Sequence, residues 1–147
     1  MREILFRGKS ITGIWEYGYY VFSPKITRAS GQVVKSTDFD THHIVTKKFN
    51  AAREINPKTL GQYTGLSDKN GKKIFEGDIV KVDGFIPTVS GIYEVIYDEV
   101  NHCYALERDI QYHFHYFTFS DLNGFRETSE VIGNIHDNPE LLKEGAE

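Results

Sequence analysis

The sequence predicts a mainly β fold, with a β-rich α+β arrangement as the neighbouring class. Three observations predict it: Val, Ile, Tyr, Phe, Trp and Thr recur in short runs, Gly, Asn, Asp and Pro break those runs, and the apolar period within them is two. With 147 residues, 39% of them hydrophobic, the chain can bury about two-thirds of its unfolded surface and needs no metal or disulfide staple. The expected build is a single domain over 1–147. Within it, an N-terminal hairpin and variable loop (1–55) lean on a small SH3-like barrel (56–147), closed by a short C-terminal helix.

Ile4-Leu5-Phe6 reads as a first short strand and Gly8-Lys9 as a turn. In the next strand, Gly13 to Phe22, the residues Trp15, Tyr17, Tyr19 and Val21 share an apolar face, while Ile14, Glu16, Gly18, Tyr20 and Phe22 form a mixed one. Gly18 permits a bulge or a close approach. From Ser23 to Asn50 the text becomes polar, with brief apolar pairs such as Val33-Val34. That excursion predicts a meandering loop with one or two edge strands, and it is long for a structureless connection. Asp68-Lys69-Asn70-Gly71 is a strong turn, because Asp and Asn close local hydrogen bonds and glycine accepts positive φ. Tyr63 is then set opposite Ile74 or Phe75. A corner at Gly77 starts a new strand, Asp78 to Val82. Further strands follow at Gly91–Tyr97, Cys103–Glu107, His113–Phe119 and Glu130–Ile135, with Asn101-His102 turning between the first two. Asp137-Asn138-Pro139 then caps a short helix carrying Leu141 and Leu142.

Phe6-Arg7-Gly8-Lys9, Gly61-Gln62-Tyr63-Thr64-Gly65-Leu66, Asp68-Lys69-Asn70-Gly71-Lys72, Glu76-Gly77-Asp78-Ile79-Val80, Val131-Ile132-Gly133-Asn134-Ile135 and Asn138-Pro139-Glu140-Leu141-Leu142 follow one another along the chain. In that order and spacing they resemble the YopX family. The resemblance implies a small bacterial protein of phage or prophage origin, rich in β-structure, with no established biochemical activity. The stretches 23–50 and 83–129 match only as variable text, so any specificity they encode is not inherited.

The net charge of −4 conceals an asymmetry. Residues 1–75 carry 13 Lys and Arg against 6 Asp and Glu, a balance of +7, whereas 76–147 carry 4 against 15, a balance of −11. Such a dipolar chain steers an anionic partner, or another copy of itself, to one end, unless strand pairing mixes the two halves. Cys103 is the single cysteine, which excludes an internal disulfide and fits a reducing compartment, the cytoplasm of a bacterial host. Met1 to Arg7 holds only three consecutive apolar residues, too few for a signal-peptide core or a membrane span.

The catalytic and ligand motifs are incomplete. Gly8-Lys9-Ser10 ends like a phosphate-binding loop, but Glu3 occupies the position of its first glycine. Asp68, Asn70, Glu76 and Asp78 suggest a calcium loop until Lys72 and Lys73 fall among the ligands. His113 and His115 share a strand face and hold zinc only if His42, His43, His102 or Cys103 converges on them. Cys103 next to His102 is a nucleophile only if an imidazole lowers its pKa. Glu76 and Asp78 sit two apart as acid and base candidates, with a corner glycine between them. No catalytic residue, metal or cofactor is therefore assigned.

The first expectation is a non-enzymatic accessory protein that forms a homo-oligomer and binds a phage or host protein through its variable loop and charged faces. The alternative is a nucleic-acid binder. Arg7, Lys9, Lys69, Lys72 and Lys73 at two hairpin tips would contact phosphates, and Tyr63, Trp15 or Tyr17 would stack on bases. A pI of about 5.9 counts against that alternative.

Overall fold

A computed structural model describes residues 3–23, 40–46, 51–84, 89–110, 113–118 and 125–144. The fold is mainly β and antiparallel throughout. The chain forms two compact units, Glu3–Gln62 and Tyr63–Glu147.

The first unit holds β1 (Phe6–Lys9), β2 (Trp15–Ser23), β3 (Thr41–Thr46) and β4 (Ala52–Glu54) in the order β4-β3-β2-β1. The start of β5 (Gly61–Ser67) pairs with β1 through Phe6↔Gln62 and Arg7↔Gly61. The first turn falls at Ser10–Gly13 instead of Gly8-Lys9. Ser10 accepts the Ile14 N–H on its Oγ (3.1 Å), and Gly13 supplies the positive φ of 85°. Gly8 stays inside the strand because Ile55 packs directly against it, leaving no room for a Cβ. Beyond β4, Ser10↔Ile55 bridge and Asn56 donates to the Lys9 carbonyl (2.9 Å), which returns the chain to β1. A 3-10 turn, Pro57–Thr59, follows, capped by the Asn56 side chain on the Lys58 N–H (3.1 Å).

The buried side of this sheet differs from the one the β2 pattern predicts. Trp15, Tyr17, Tyr19 and Val21 do share a face, yet Tyr17, Tyr19 and Val21 remain 47, 52 and 43% exposed. The opposite side carries fully buried Ile44 and buried Gly18. Gly18 allows β3 to come so close that a Cβ would sit on the Val45 carbonyl. Within the 23–50 excursion, β3 is an interior strand paired with both β2 and β4, not an edge. Residues 24–39 and 47–50 lie outside the described residues.

In the second unit the remainder of β5 pairs with β6 (Lys73–Phe75). Next come β7 (Asp78–Val82), β8 (Gly91–Asp98), β9 (Cys103–Ile110), β10 (His113–Thr118), α1 (Phe125–Thr128), β11 (Ser129–Asn134) and α2 (Leu141–Glu144). The sheet order β10-β9-β8-β7-β11 is a meander whose last strand returns beside β7. Its core is Ile74, Val80, Val82, Tyr93, Val95, Leu106 and Val131, with Leu66 and Phe117 packed against it. Strand β7 buries Asp78, Ile79 and Val80 in succession and so on both faces, and only Lys81 is exposed. The predicted pair Tyr63↔Phe75 is present, with rings 5.6 Å apart.

Candidate functional site

The turn between β5 and β6 is built around one carboxylate. Asp68, 3% exposed, accepts the N–H groups of Asn70 and Lys72 on Oδ1 (2.9 Å each) and that of Val131 on Oδ2 (3.0 Å). Lys69 donates its N–H to the Ser129 carbonyl (3.0 Å), so the turn caps the edge of β11 with backbone as well as side chain. Burial pushes the Asp68 carboxyl up, but the three N–H groups of Val131, Lys72 and Asn70 and the Lys72 charge outweigh it and hold the group below its ordinary value. A carboxylate committed to three backbone donors is a hairpin clamp, and nothing in its geometry is left for a calcium loop.

The basic residues around that clamp engage the protein's own surface. Lys69 pairs with Glu130 (2.6 Å), and the hydrogen bond raises its pKa. Lys72 is exposed, with its Nζ 3.5 Å from the Val131 carbonyl. Lys73 lies over the Tyr63 ring at 4.9 Å. Tyr63 itself is buried, so its face is not open to a base. In the first unit, Arg7 is buried and stacks 4.8 Å over Trp15, with Lys9 6.0 Å from the same ring. The structure thus groups Lys69, Lys72 and Lys73 about one turn and Arg7 and Lys9 about one indole.

Neither acid–base nor metal geometry assembles among the described residues. Asp78 is buried and accepts the Phe75 N–H (2.7 Å), closing the corner at Gly77 in place of serving as a paired acid. His42 and His43 are successive on β3 and point to opposite faces. His42 Nδ1 is 2.6 Å from the Tyr20 hydroxyl. His102 holds the β8–β9 turn at φ 54°. The side chains of His113 and His115 lie outside the described residues. Among the described residues no three His, Cys, Asp or Glu side chains gather as metal ligands. None of the described helices is long and apolar enough to cross a membrane.

Two surfaces that motif reading passed over remain. One is the exposed face of β2, Tyr17, Tyr19 and Val21, with half-buried Val45 and His43 as their cross-strand neighbours. The other is a shallow depression of about 560 Å³ at the end of the β8–β9 hairpin, lined by Ile96, Tyr97, Asp98, Glu99, Val100 and Glu107. Its rim combines Val100, 86% exposed, with Tyr97, which meets Tyr104 edge-on at 5.2 Å. Glu94 and Glu107 face each other across the two strands. Burial first, then the Glu107 charge, raises the Glu94 carboxyl. The period-two pattern identified the residues sharing the first surface; their exposure was not readable, because it depends on where β3 and Ile55 sit.

No curated protein matches the chain significantly. Among solved structures it is similar to protein EF1440 from Enterococcus faecalis, at 24% identity over 97% of this chain and 99% of that one, with a TM-score of 0.49. A scan against protein-family models matches residues 6–143 to the family described as YopX protein. With that match running from β1 to α2, the chain belongs to the YopX family.

Proposed function

We propose that this chain is a non-enzymatic accessory protein of a phage or prophage, acting in the bacterial cytoplasm as a self-assembling protein-binding module. The observation that carries the reading is the exposed face of β2: Tyr17, Tyr19 and Val21 lie in a row, each more than two-fifths exposed. Scattered surface apolar residues are ordinary, whereas aromatic residues aligned on one sheet face suit a partner surface. Support also comes from where the family-like motifs are used. Asp68, Gly77, Asp78 and Asn134 form turns and corners, not a pocket.

The nucleic-acid alternative has less support at the Lys69–Lys73 turn, since Lys69 is paired with Glu130 and Tyr63 is buried. Size exclusion with light scattering tests the reading. The parent should elute as a defined multiple of 16.9 kDa, free of nucleic acid by its ultraviolet absorbance ratio, and Tyr19→Glu should elute as one chain. A parent that is monomeric at all concentrations, or that carries nucleic acid into the peak, contradicts it.

A further inference from the structure

We propose that Asn70-Gly71 is a latent self-modification site, held shut by the Asp68 clamp. Its substrate is the chain itself and its one co-reactant is water. The backbone nitrogen of Gly71 attacks the side-chain carbonyl carbon of Asn70: an N–Cγ bond forms, the Cγ–NH₂ bond breaks, and ammonia leaves with the proton of the attacking nitrogen. Water then opens the cyclic imide at one of its two carbonyls, giving aspartate or isoaspartate at position 70. Nothing is oxidised or reduced.

The reacting groups are accessible. Asn70 and Gly71 are both exposed at the hairpin tip, and no atom lies within 4 Å of where a Gly71 Cβ would stand, so nothing crowds the attacking nitrogen. The closed turn nevertheless withholds that nitrogen. Its N–H donates to the Asp68 carbonyl (2.9 Å), the Asp68 N–H donates to the Lys72 carbonyl (2.9 Å), and Gly71 takes a φ of 80°, which together make a three-residue hairpin loop. On either side, the Lys69 N–H is held by the Ser129 carbonyl (3.0 Å), and those of Asn70 and Lys72 by Asp68 Oδ1 (2.9 Å each). Every N–H from Lys69 to Lys72 is thus committed, so the nitrogen reacts only when the turn opens. The Asp68 carboxylate, anchored also to Val131, sets how often that happens. Conversion then marks the opened turn irreversibly. Aspartate adds a carboxylate between Lys69 and Lys72. Isoaspartate lengthens the backbone by one carbon, so the Gly71 and Lys72 N–H groups no longer meet Asp68 at their former spacing.

Peptide mapping of aged protein tests it. Glutamate-specific cleavage releases Ile55–Glu76, in which the other asparagine, Asn56, precedes Pro57, a residue with no N–H to attack with. The mass and isoaspartate content of that peptide are followed with time at neutral pH, in the folded chain and in the same chain unfolded in urea. Conversion in the folded parent should equal the unfolded rate multiplied by the open fraction of the turn, read independently from hydrogen exchange of the Gly71 amide. Asp68→Asn should speed conversion roughly ten- to a hundredfold, the gain in opening expected when hydrogen bonds to a charged group are lost. Asn134→Ala, which leaves the turn's own bonds in place, should convert as the parent does. A folded parent that converts at the unfolded rate, a folded Asp68→Asn chain that converts no faster than the parent, or equal acceleration by Asn134→Ala overturns the proposal. Should Asp68→Asn fail to fold by near-ultraviolet dichroism, the parent alone decides: a rate that does not follow Gly71 exchange overturns it.

Discussion

Asp68 uses both carboxylate oxygens on backbone donors, two in its own turn and one on Val131, 63 positions away. Asp68→Asn leaves one oxygen and places an NH₂ group against a backbone N–H, so two donors face each other in a buried place. Hydrogen bonds to a charged group contribute about 1.5–3 kcal/mol, and a comparable loss is expected in urea unfolding at neutral pH. The pH dependence follows from the direction of the shift. Because the folded carboxyl lies below its ordinary value, its contribution is complete above the unfolded value of about 3.9 and is lost as pH falls through the lower folded value. Parent and Asp68→Asn unfolding midpoints should therefore converge below about pH 4. A constant gap down to pH 2 would contradict the role given to this carboxylate. The Asp68–Gly71 turn was legible in the sequence because Asx and glycine chemistry is local. The bond to β11 was not, since no local pattern encodes a contact over that separation.

Strands β2 and β11 depend on glycines for close approach, and the two cases separate by what a methyl group would meet. At Gly18 it meets the Val45 backbone carbonyl, which cannot rotate away; at Gly133 its two nearest contacts are the ends of side chains, Asn138 Oδ1 at 2.7 Å and Leu141 Cδ1 at 2.9 Å. Overpacking typically costs about 1–3 kcal/mol. Gly18→Ala should fall at or beyond the upper end and Gly133→Ala at the lower end, read from thermal midpoints; the reverse order would contradict the packing described. At the β11 exit, Asn134 Oδ1 accepts the N–H groups of His136 and Asp137, both at 3.0 Å. Asn134→Ala should cost about 1 kcal/mol, as loss of a local cap does.

Element boundaries were readable where turn residues flank the strand, as at β7 and β8, whereas β9 starts at the expected Cys103 but runs three residues past the expected Glu107, to Ile110. They slipped at β1, where Gly8 looked like a turn residue but is needed for contact with Ile55. Helix α2 is only four residues long, and the Asx bonds that precede it come from Asn134, not from Asp137 or Asn138 alone. Strand β4 and the 3-10 turn carried too few residues for a periodic signal.

Across the whole molecule, the fold class was legible from period and composition, and the uneven charge from simple counting. The candidate surfaces were only half legible. The alternation in β2 showed that Tyr17, Tyr19 and Val21 lie together, but an apolar face normally turns inward, and here β3 supplies Ile44 to the buried side instead. The basic residues Arg7, Lys9, Lys69, Lys72 and Lys73 looked like hairpin-tip contacts. What the linear text does not carry is that Trp15, Tyr63 and Glu130 engage four of them within the chain.

Self-assembly through the β2 face is the central claim, and the most direct measurement is the mass of the untagged chain by sedimentation equilibrium at low salt over a wide concentration range. The account predicts a mass that rises with concentration above 16.9 kDa for the parent and stays at one chain for Tyr17→Ser with Tyr19→Glu. A parent fixed at one chain throughout, or a variant that assembles equally well, would contradict it.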